Sequence, residues 1–408
     1  MAKEKKKADS RQCAEMKYCQ ISSATEPFVF ADGRSADPIL LAYQTWGELN
    51  TARDNAVLVF HALSGSSNIA GRNTQGPGNE FWTEECHDGW WDDFVGPGKG
   101  IDTRKYFVIC ANYPGGCYGS SGPSTIDPKT GKPWGSRFPS PSMTDIAEAN
   151  ARLLDKLGIK TLLGVVGASL GGFCALDFAA RYPRRVRCVI PIATGVRTTV
   201  LSKAHNFEQI YAIEQDPNFR GGDYYDGTRP NSGLTLARII SHKTFVSLAL
   251  MESRARKAII QPDDYLSGYR LQHQVESYIL HQGRKFVRRF DANTYLRIIN
   301  AWQSFDLPGS LAEGNLTKAL SRCHGQEWLI FSISSDVCFY PAEQSEIATA
   351  LNANRIDYQH ITVHSEKGHD SFLLEPDLYC PYMSYKLDQA HRRQQDDADD
   401  EGDPQFTI

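Results

Sequence analysis

An apolar run of strand length, Leu162-Leu163-Gly164-Val165-Val166, leads directly into Gly167-Ala168-Ser169-Leu170-Gly171 and from there into a helical segment, Phe173 to Ala180. A chain that passes from strand to helix in one step turns sharply, and only small neighbours fit the turn. Gly167 and Gly171 supply the room. Ser169 between them is expected in a strained backbone conformation, its hydroxyl presented at a helix N-terminus. A Gly-x-Ser-x-Gly pattern alone is common, but here both flanks match the strand–turn–helix context that gives it meaning.

That unit recurs along the chain without the serine. Asn55–Phe60, Tyr106–Cys110, Cys188–Ile192 and Trp328–Ile333 are continuous apolar runs of strand length. Apolar on both faces, they suit the centre of a mostly parallel sheet covered by helices. Residues 143–157 carry helical spacing and Gly158 ends it, so the rhythm is that of an α/β fold. From about 200 to 310 the rhythm breaks. Arg, Lys, Gln, Tyr and His dominate, and Leu234–Ser241 and Tyr295–Phe305 have amphipathic helical spacing. The expected organisation is an N-terminal tail (1–27), an α/β core (28–200 and 311–380), a helical lid inserted at 201–310 and an acidic C-terminal tail (381–408). Six acids crowd residues 391–408. Such a run usually stays solvated.

The remaining composition serves mainly to exclude. A net charge of -4 leaves no basic field for nucleic acid. No stretch of 18 apolar residues is present, so no membrane span is expected, and the lysine-rich first residues lack the apolar segment of a secretory signal. The ten cysteines are scattered without a CxxC pair, which argues against a structural zinc site and for a reducing, cytoplasmic setting. No metal-ligand spacing or nucleotide fingerprint stands out, so neither a metal nor a bound cofactor is expected.

A serine hydroxyl is a weak nucleophile and needs a base, itself oriented by an acid. Downstream of an elbow serine, the order acid then histidine selects Asp336, just after the strand at 328–333, and His369, in Gly368-His369-Asp370-Ser371 near the end of the core. Taken singly, Asp336 would be a turn former and His369 a surface histidine. The order and the elbow make them a triad with Ser169. The Leu170 N–H at the helix start is one expected oxyanion donor, and a second should come from the loop Phe60-His61-Ala62-Leu63-Ser64-Gly65.

The chain also resembles the homoserine O-acyltransferase family of the α/β-hydrolase superfamily. The resemblance rests on Leu41-Ala-Tyr-Gln-Thr-Trp-Gly-Glu-Leu-Asn, His61-Ala-Leu-Ser-Gly-Ser, Gly89-Trp-Trp-Asp-Asp-Phe, Asn112-Tyr-Pro-Gly-Gly-Cys, Gly233-Leu-Thr-Leu-Ala-Arg238, Phe290-Asp-Ala-Asn-Thr-Tyr-Leu and Gly368-His369-Asp370, spread over about residues 28–376. It implies an α/β-hydrolase fold with a helical lid, and acyl transfer from acyl-CoA, a co-substrate, to an amino-acid hydroxyl through an acyl-Ser169. It implies oxyanion donors at Leu63 and Leu170, Arg238 on the α-carboxylate of homoserine and Asp370 near its ammonium. It also implies a homodimer. Succinyl-using members carry an arginine two positions after the triad aspartate; Cys338 stands there, which favours acetyl-CoA. A succinyl-CoA-dependent enzyme, serine as acceptor, or a plain esterase needing only Ser169, Asp336 and His369 are the alternative readings.

Overall fold

The computed structural model describes residues 14–23, 25–260 and 265–402. Eight strands form one sheet in the order β1-β2-β4-β3-β5-β6-β9-β10. They span Lys17–Gln20 (β1), Leu40–Trp46 (β2), Ala56–Phe60 (β3), Phe107–Ala111 (β4), Leu162–Ala168 (β5), Val186–Ile192 (β6), Glu327–Ile333 (β9) and Tyr358–Val363 (β10), with a two-residue hairpin, Tyr265–Leu266 (β7) and Tyr269–Arg270 (β8), set apart. The β1–β2 and β2–β4 pairs are antiparallel, and every later pair in the main sheet is parallel. The five apolar runs of the sequence are the adjacent strands β4, β3, β5, β6 and β9, fully or nearly fully buried. Separate apolar clusters cover the two faces.

The helices are Met143–Lys156 (α1), Leu170–Arg181 (α2), Val200–Glu214 (α3), Asn231–Phe245 (α4), Leu248–Arg256 (α5), Gln274–Val287 (α6), Ala292–Gln303 (α7), Leu307–Ala312 (α8), Leu316–Leu320 (α9), Pro341–Ala353 (α10), Ser371–Leu374 (α11) and Cys380–Gly402 (α12). Helix α1 starts with a capping box, Ser142 and Asp145 each satisfying the other's backbone N–H, and Gly158 follows its end at φ 70°. Helices α3 to α7 lie between β6 and β9 in sequence and form the lid, with α3 packed on α4 and α4 on α6. Among the described residues no helix is long and apolar enough to cross a membrane.

Both tails extend further into the fold than their composition suggests. Residues 17–20 pair with β2 at the sheet edge, and Met16 and Ile21 beside them are buried, so the segment 1–27 is not all tail. The lysines at positions 3, 5, 6 and 7 and the final residues 403–408 lie outside the described residues. The larger correction is α12, which begins where the acidic tail was expected. Met383, Leu387 and Ala390, spaced four and three residues apart, are buried against the sheet. Leu387 packs so closely that a Cβ on Gly164 of β5 would lie 2.9 Å from its Cδ2. Lys386, almost wholly enclosed, pairs with Glu327 of β9 at 2.9 Å. Charges on the outer face hide this apolar stripe in a composition count. Leu387→Ala should cost roughly 2–5 kcal/mol, read as a lower urea midpoint; a midpoint unchanged from wild type would show that α12 is dispensable to the core.

Candidate active site

The site stands at the C-terminal ends of the central parallel strands, the edge where an open α/β sheet offers a crevice. Strand β5 ends at Ala168 and α2 begins at Leu170, leaving Ser169 alone at the turn with φ 58° and ψ −127°. That region is unfavourable for a residue with a Cβ, so the surroundings must hold it. The Ser169 N–H donates to the Ile192 carbonyl of β6 at 2.9 Å. The glycines are needed for closeness. A Cβ on Gly167 would lie 2.0 Å from the Gly171 carbonyl oxygen, and one on Gly171 would lie 2.3 Å from the Phe60 carbonyl oxygen. The start of α2 is thereby pressed against the end of β3, where the loop carrying Leu63 begins.

Asp336 follows β9 in a tight turn. Its Oδ1 accepts the N–H groups of Cys338 (2.8 Å) and Phe339 (2.9 Å), and its Oδ2 accepts from His369 Nδ1 at 2.7 Å. With Nδ1 carrying the proton, Nε2 is the basic nitrogen; it is buried and makes no hydrogen bond with any described group. Structurally, then, Asp336 and His369 are coupled, while Ser169 is not hydrogen-bonded to His369. Aromatic rings link the two halves. Phe173 of α2 meets Phe339 edge-on (5.3 Å between centroids), and Phe339 stacks on His369 at 5.4 Å.

Burial presses the His369 pKa down, but the charge and hydrogen bond of Asp336, with Asp370 and Glu343 nearby, outweigh it and raise the pKa above the ordinary 6.5. Two opposite pH effects follow. A raised pKa in the folded state stabilises the fold below the unfolded value, and that contribution fades as pH rises through the folded pKa. A base must be neutral, so activity is gained over the same rise. The acid limb of kcat/KM should therefore have its midpoint above 6.5; a midpoint at or below 6.5 would contradict the coupling.

Arg238 and Asp370 approach the same space from the lid and from the base loop. The Arg238 guanidinium carbon lies over the rings of Phe245 (5.1 Å) and Phe286 (4.8 Å). Its Nη1 is buried and without a hydrogen-bond partner among the described residues. Burial, then the charge of Arg289, push its pKa down. The Phe245 ring also lies 6.1 Å from the His369 ring, so one ring neighbours both Arg238 and the base. Burial raises the Asp370 pKa against the charges of His369, Arg238 and Arg254, so one carboxylate faces three cationic or potentially cationic groups. One cationic and one anionic side chain therefore border the same space.

Cys338 is buried beside Thr244 of α4 and brings no positive charge. A small hollow lies against it, bounded by Asn206, Thr244, Phe245 and Trp302. Leu63 is buried in the turn after β3. Several neighbours of these residues do not stand out in the sequence: Phe245 and Phe286 flanking the arginine, Arg254 near Asp370, and Glu343 near the base. Only the i, i+7 spacing of Arg238 and Phe245 on one helix could have suggested any of them.

The strand order, the elbow and the Asp–His pair define an α/β-hydrolase-fold protein equipped for nucleophilic acyl chemistry. The α/β-hydrolase family model matches residues 55–376. Within that superfamily the chain belongs to the homoserine O-acyltransferase family. It is 41% identical over 380 residues to a homoserine O-acetyltransferase of Solidesulfovibrio magneticus, covering 92% of this chain and 93% of that protein. It is 42% identical over 364 residues to a homoserine O-succinyltransferase of Aromatoleum aromaticum, covering 89% and 94%. Among solved structures, a homoserine O-acetyltransferase of Bacillus anthracis superposes with TM-score 0.80 at 25% identity over 92% of this chain and 98% of that one. An esterase superposes as well, with TM-score 0.81 at 23% identity over 92% and 100%. The esterase match shows that the backbone alone does not separate transfer from hydrolysis.

Proposed function

We propose that the protein transfers an acetyl group from acetyl-CoA to the side-chain hydroxyl of L-homoserine, the committed acylation of methionine biosynthesis. The observation that carries transfer over hydrolysis is Arg238, whose Nη1 is enclosed and unsatisfied and whose charge acts on Asp370 beside the base. A neutral ester has no use for this pair of charges; an amino acid uses both.

In the proposed cycle Ser169 Oγ attacks the thioester carbonyl and gives its proton to His369 Nε2. The oxyanion is met by the N–H groups of Leu63 and Leu170. Collapse expels the thiol, protonated from His369, and leaves acyl-Ser169. Homoserine then binds with its carboxylate on Arg238 and its ammonium toward Asp370. Its hydroxyl gives a proton to His369 and attacks the acyl carbonyl. The second tetrahedral intermediate breaks to release the O-acyl product, and His369 returns the proton to Ser169. Asp336 keeps His369 in its Nδ1–H form throughout. No bound cofactor or metal takes part in this scheme; acetyl-CoA is a substrate.

Cys338 supports acetyl as the acyl group, since the second carboxylate of a succinyl chain would meet no cation there. The test is thiol release from acetyl-CoA and from succinyl-CoA, each with homoserine, serine or water. Acetyl-CoA with homoserine should be fastest, and equal rates with water alone would make the protein a hydrolase. Cys338→Arg should raise the ratio of kcat/KM for succinyl-CoA over acetyl-CoA by about tenfold or more, the worth of about 1.4 kcal/mol. An unchanged ratio would remove Cys338 from donor selection.

A homodimer is also proposed. Val200, Ala204, Phe207 and Tyr211 form an exposed apolar stripe along α3, which a second copy would cover. Sedimentation equilibrium would show a dimer, weakened by Phe207→Glu.

A further inference from the structure

His61 directly follows β3, and its side chain is almost fully enclosed in the protein interior. Its Nδ1 lies 2.8 Å from the carbonyl oxygen of Ala62. A carbonyl only accepts, so the proton sits on Nδ1 and Nδ1–H is the donor. The opposite nitrogen, Nε2, is buried and bonds to no described group. The ring lies flat on Tyr113, with centroids 3.7 Å apart and planes 17° apart, and the Tyr113 hydroxyl donates to the His61 carbonyl. Burial lowers the His61 pKa to about 4, so the ring stays neutral in any ordinary assay.

The Ala62 carbonyl receives a second donor, the Gly65 N–H at 2.9 Å. That turn is tight, since a Cβ on Gly65 would lie 3.0 Å from the His61 Cβ. Ala62 C=O and Leu63 N–H belong to one peptide plane, and in a trans peptide they point to opposite sides. Two donors that clamp the oxygen therefore also set the direction of the Leu63 N–H. We propose that His61 is a positioning residue for the oxyanion hole: its Nδ1–H holds the Ala62–Leu63 peptide so that the Leu63 N–H is aimed before the acyl group arrives. The inference rests on Leu63 being an oxyanion donor, as in the proposed cycle. It explains why a neutral, buried histidine is used there. The residue must donate from one atom, at one distance, without adding a charge to a site whose task is to stabilise an anion. Its flat seat on Tyr113 removes the rotamer freedom that would otherwise let the peptide turn over.

The test uses the full-length enzyme with three variants: His61→Asn, which keeps a side-chain N–H, its isostere His61→Leu, which does not, and His61→Phe, which keeps the ring on Tyr113 but not the donor. The readouts are thiol release from acetyl-CoA with homoserine, and hydrolysis of p-nitrophenyl acetate. An oxyanion forms on either donor, so the ester assay tests His61 even if transfer to homoserine fails. Leu and Phe should lower kcat about 10²-fold in both assays, the scale of losing one oxyanion donor. KM for acetyl-CoA should stay within about twofold and the acid-limb midpoint should not move. Asn should recover most of the loss. If Phe does not fold, the Asn and Leu pair decides. Equal kcat in Asn and Leu, a loss carried by KM, or a shifted acid limb would each overturn the proposal.

Discussion

Ser169→Ala should abolish acyl transfer, with kcat down by about 10⁴-fold or more, while fold and ligand binding survive. The reasoning starts from the backbone. Ser169 is held at φ 58° by the close packing of Gly167 on Gly171 and by the Ile192 carbonyl, none of which involves its hydroxyl. Alanine has the same Cβ and meets the same strain, so the elbow should keep its shape. What disappears is the only atom at that point able to form an acyl ester. The Leu63 and Leu170 N–H groups and His369 would remain and could still promote slow attack by water, which is why a small residual rate is expected. Two measurements separate chemistry from binding. Rapid mixing with acetyl-CoA should show no burst of thiol, and calorimetry should show homoserine binding close to wild type. A burst that survives the substitution would mean that another group carries the acyl chain.

The parts of the molecule visible in the sequence are those whose physics is local. The central strands are apolar on both faces because helices cover both faces, so a run such as Val57–Phe60 announces itself without any knowledge of its neighbours. The elbow is equally local, because five consecutive residues make the turn. The edges were harder. Lys17–Gln20 is an exposed strand and Tyr358–Val363 a half-exposed one, both with polar residues interleaved, and neither stands out until its partner strand is known. Helix α12 was obscured by its own outer face. The three apolar residues that seat it are outnumbered by charges, and only the sheet against which they pack reveals the stripe.

The same division runs through the site. Asp336 and His369 could be found from chain order, which reflects topology. That Asp336 is fixed by two backbone N–H groups, or that Phe339 stacks on the base, depends on contacts made after folding. Arg238 shows the limit most sharply. On sequence it is one arginine in an amphipathic lid helix, singled out only by family resemblance. Its enclosure between two aromatic rings comes from α4 and α6 converging.

That enclosure makes the effect of Arg238→Met calculable in sign for both stability and activity. Arg238 is half-buried, but its Nη1 is enclosed and unpaired; that group has given up hydration without full return, so the native state without substrate bears a desolvation cost. Methionine is unbranched, fits between Phe245 and Phe286 and requires no partner. The variant should therefore unfold at the same temperature as wild type or higher. Its activity should fall in one half of the reaction only. The homoserine carboxylate would lose a charge-assisted, two-pronged contact, worth roughly 3–4 kcal/mol, so kcat/KM for homoserine should drop about 10²- to 10³-fold. Acylation of Ser169 by acetyl-CoA uses none of that contact, so the thiol burst should persist, followed by slow hydrolysis where transfer used to occur. Arg238→Lys should fall between, since an ammonium keeps the charge but not the fork. Melting curves, burst amplitudes and homoserine titrations on the two variants resolve the question. A lost burst would place Arg238 in donor binding or in the chemical step, and a clear drop in melting temperature would mean that the guanidinium is satisfied in the free enzyme. A stable enzyme that still takes the acyl group and cannot deliver it to homoserine would show that this arginine is kept for the acceptor at the expense of the fold.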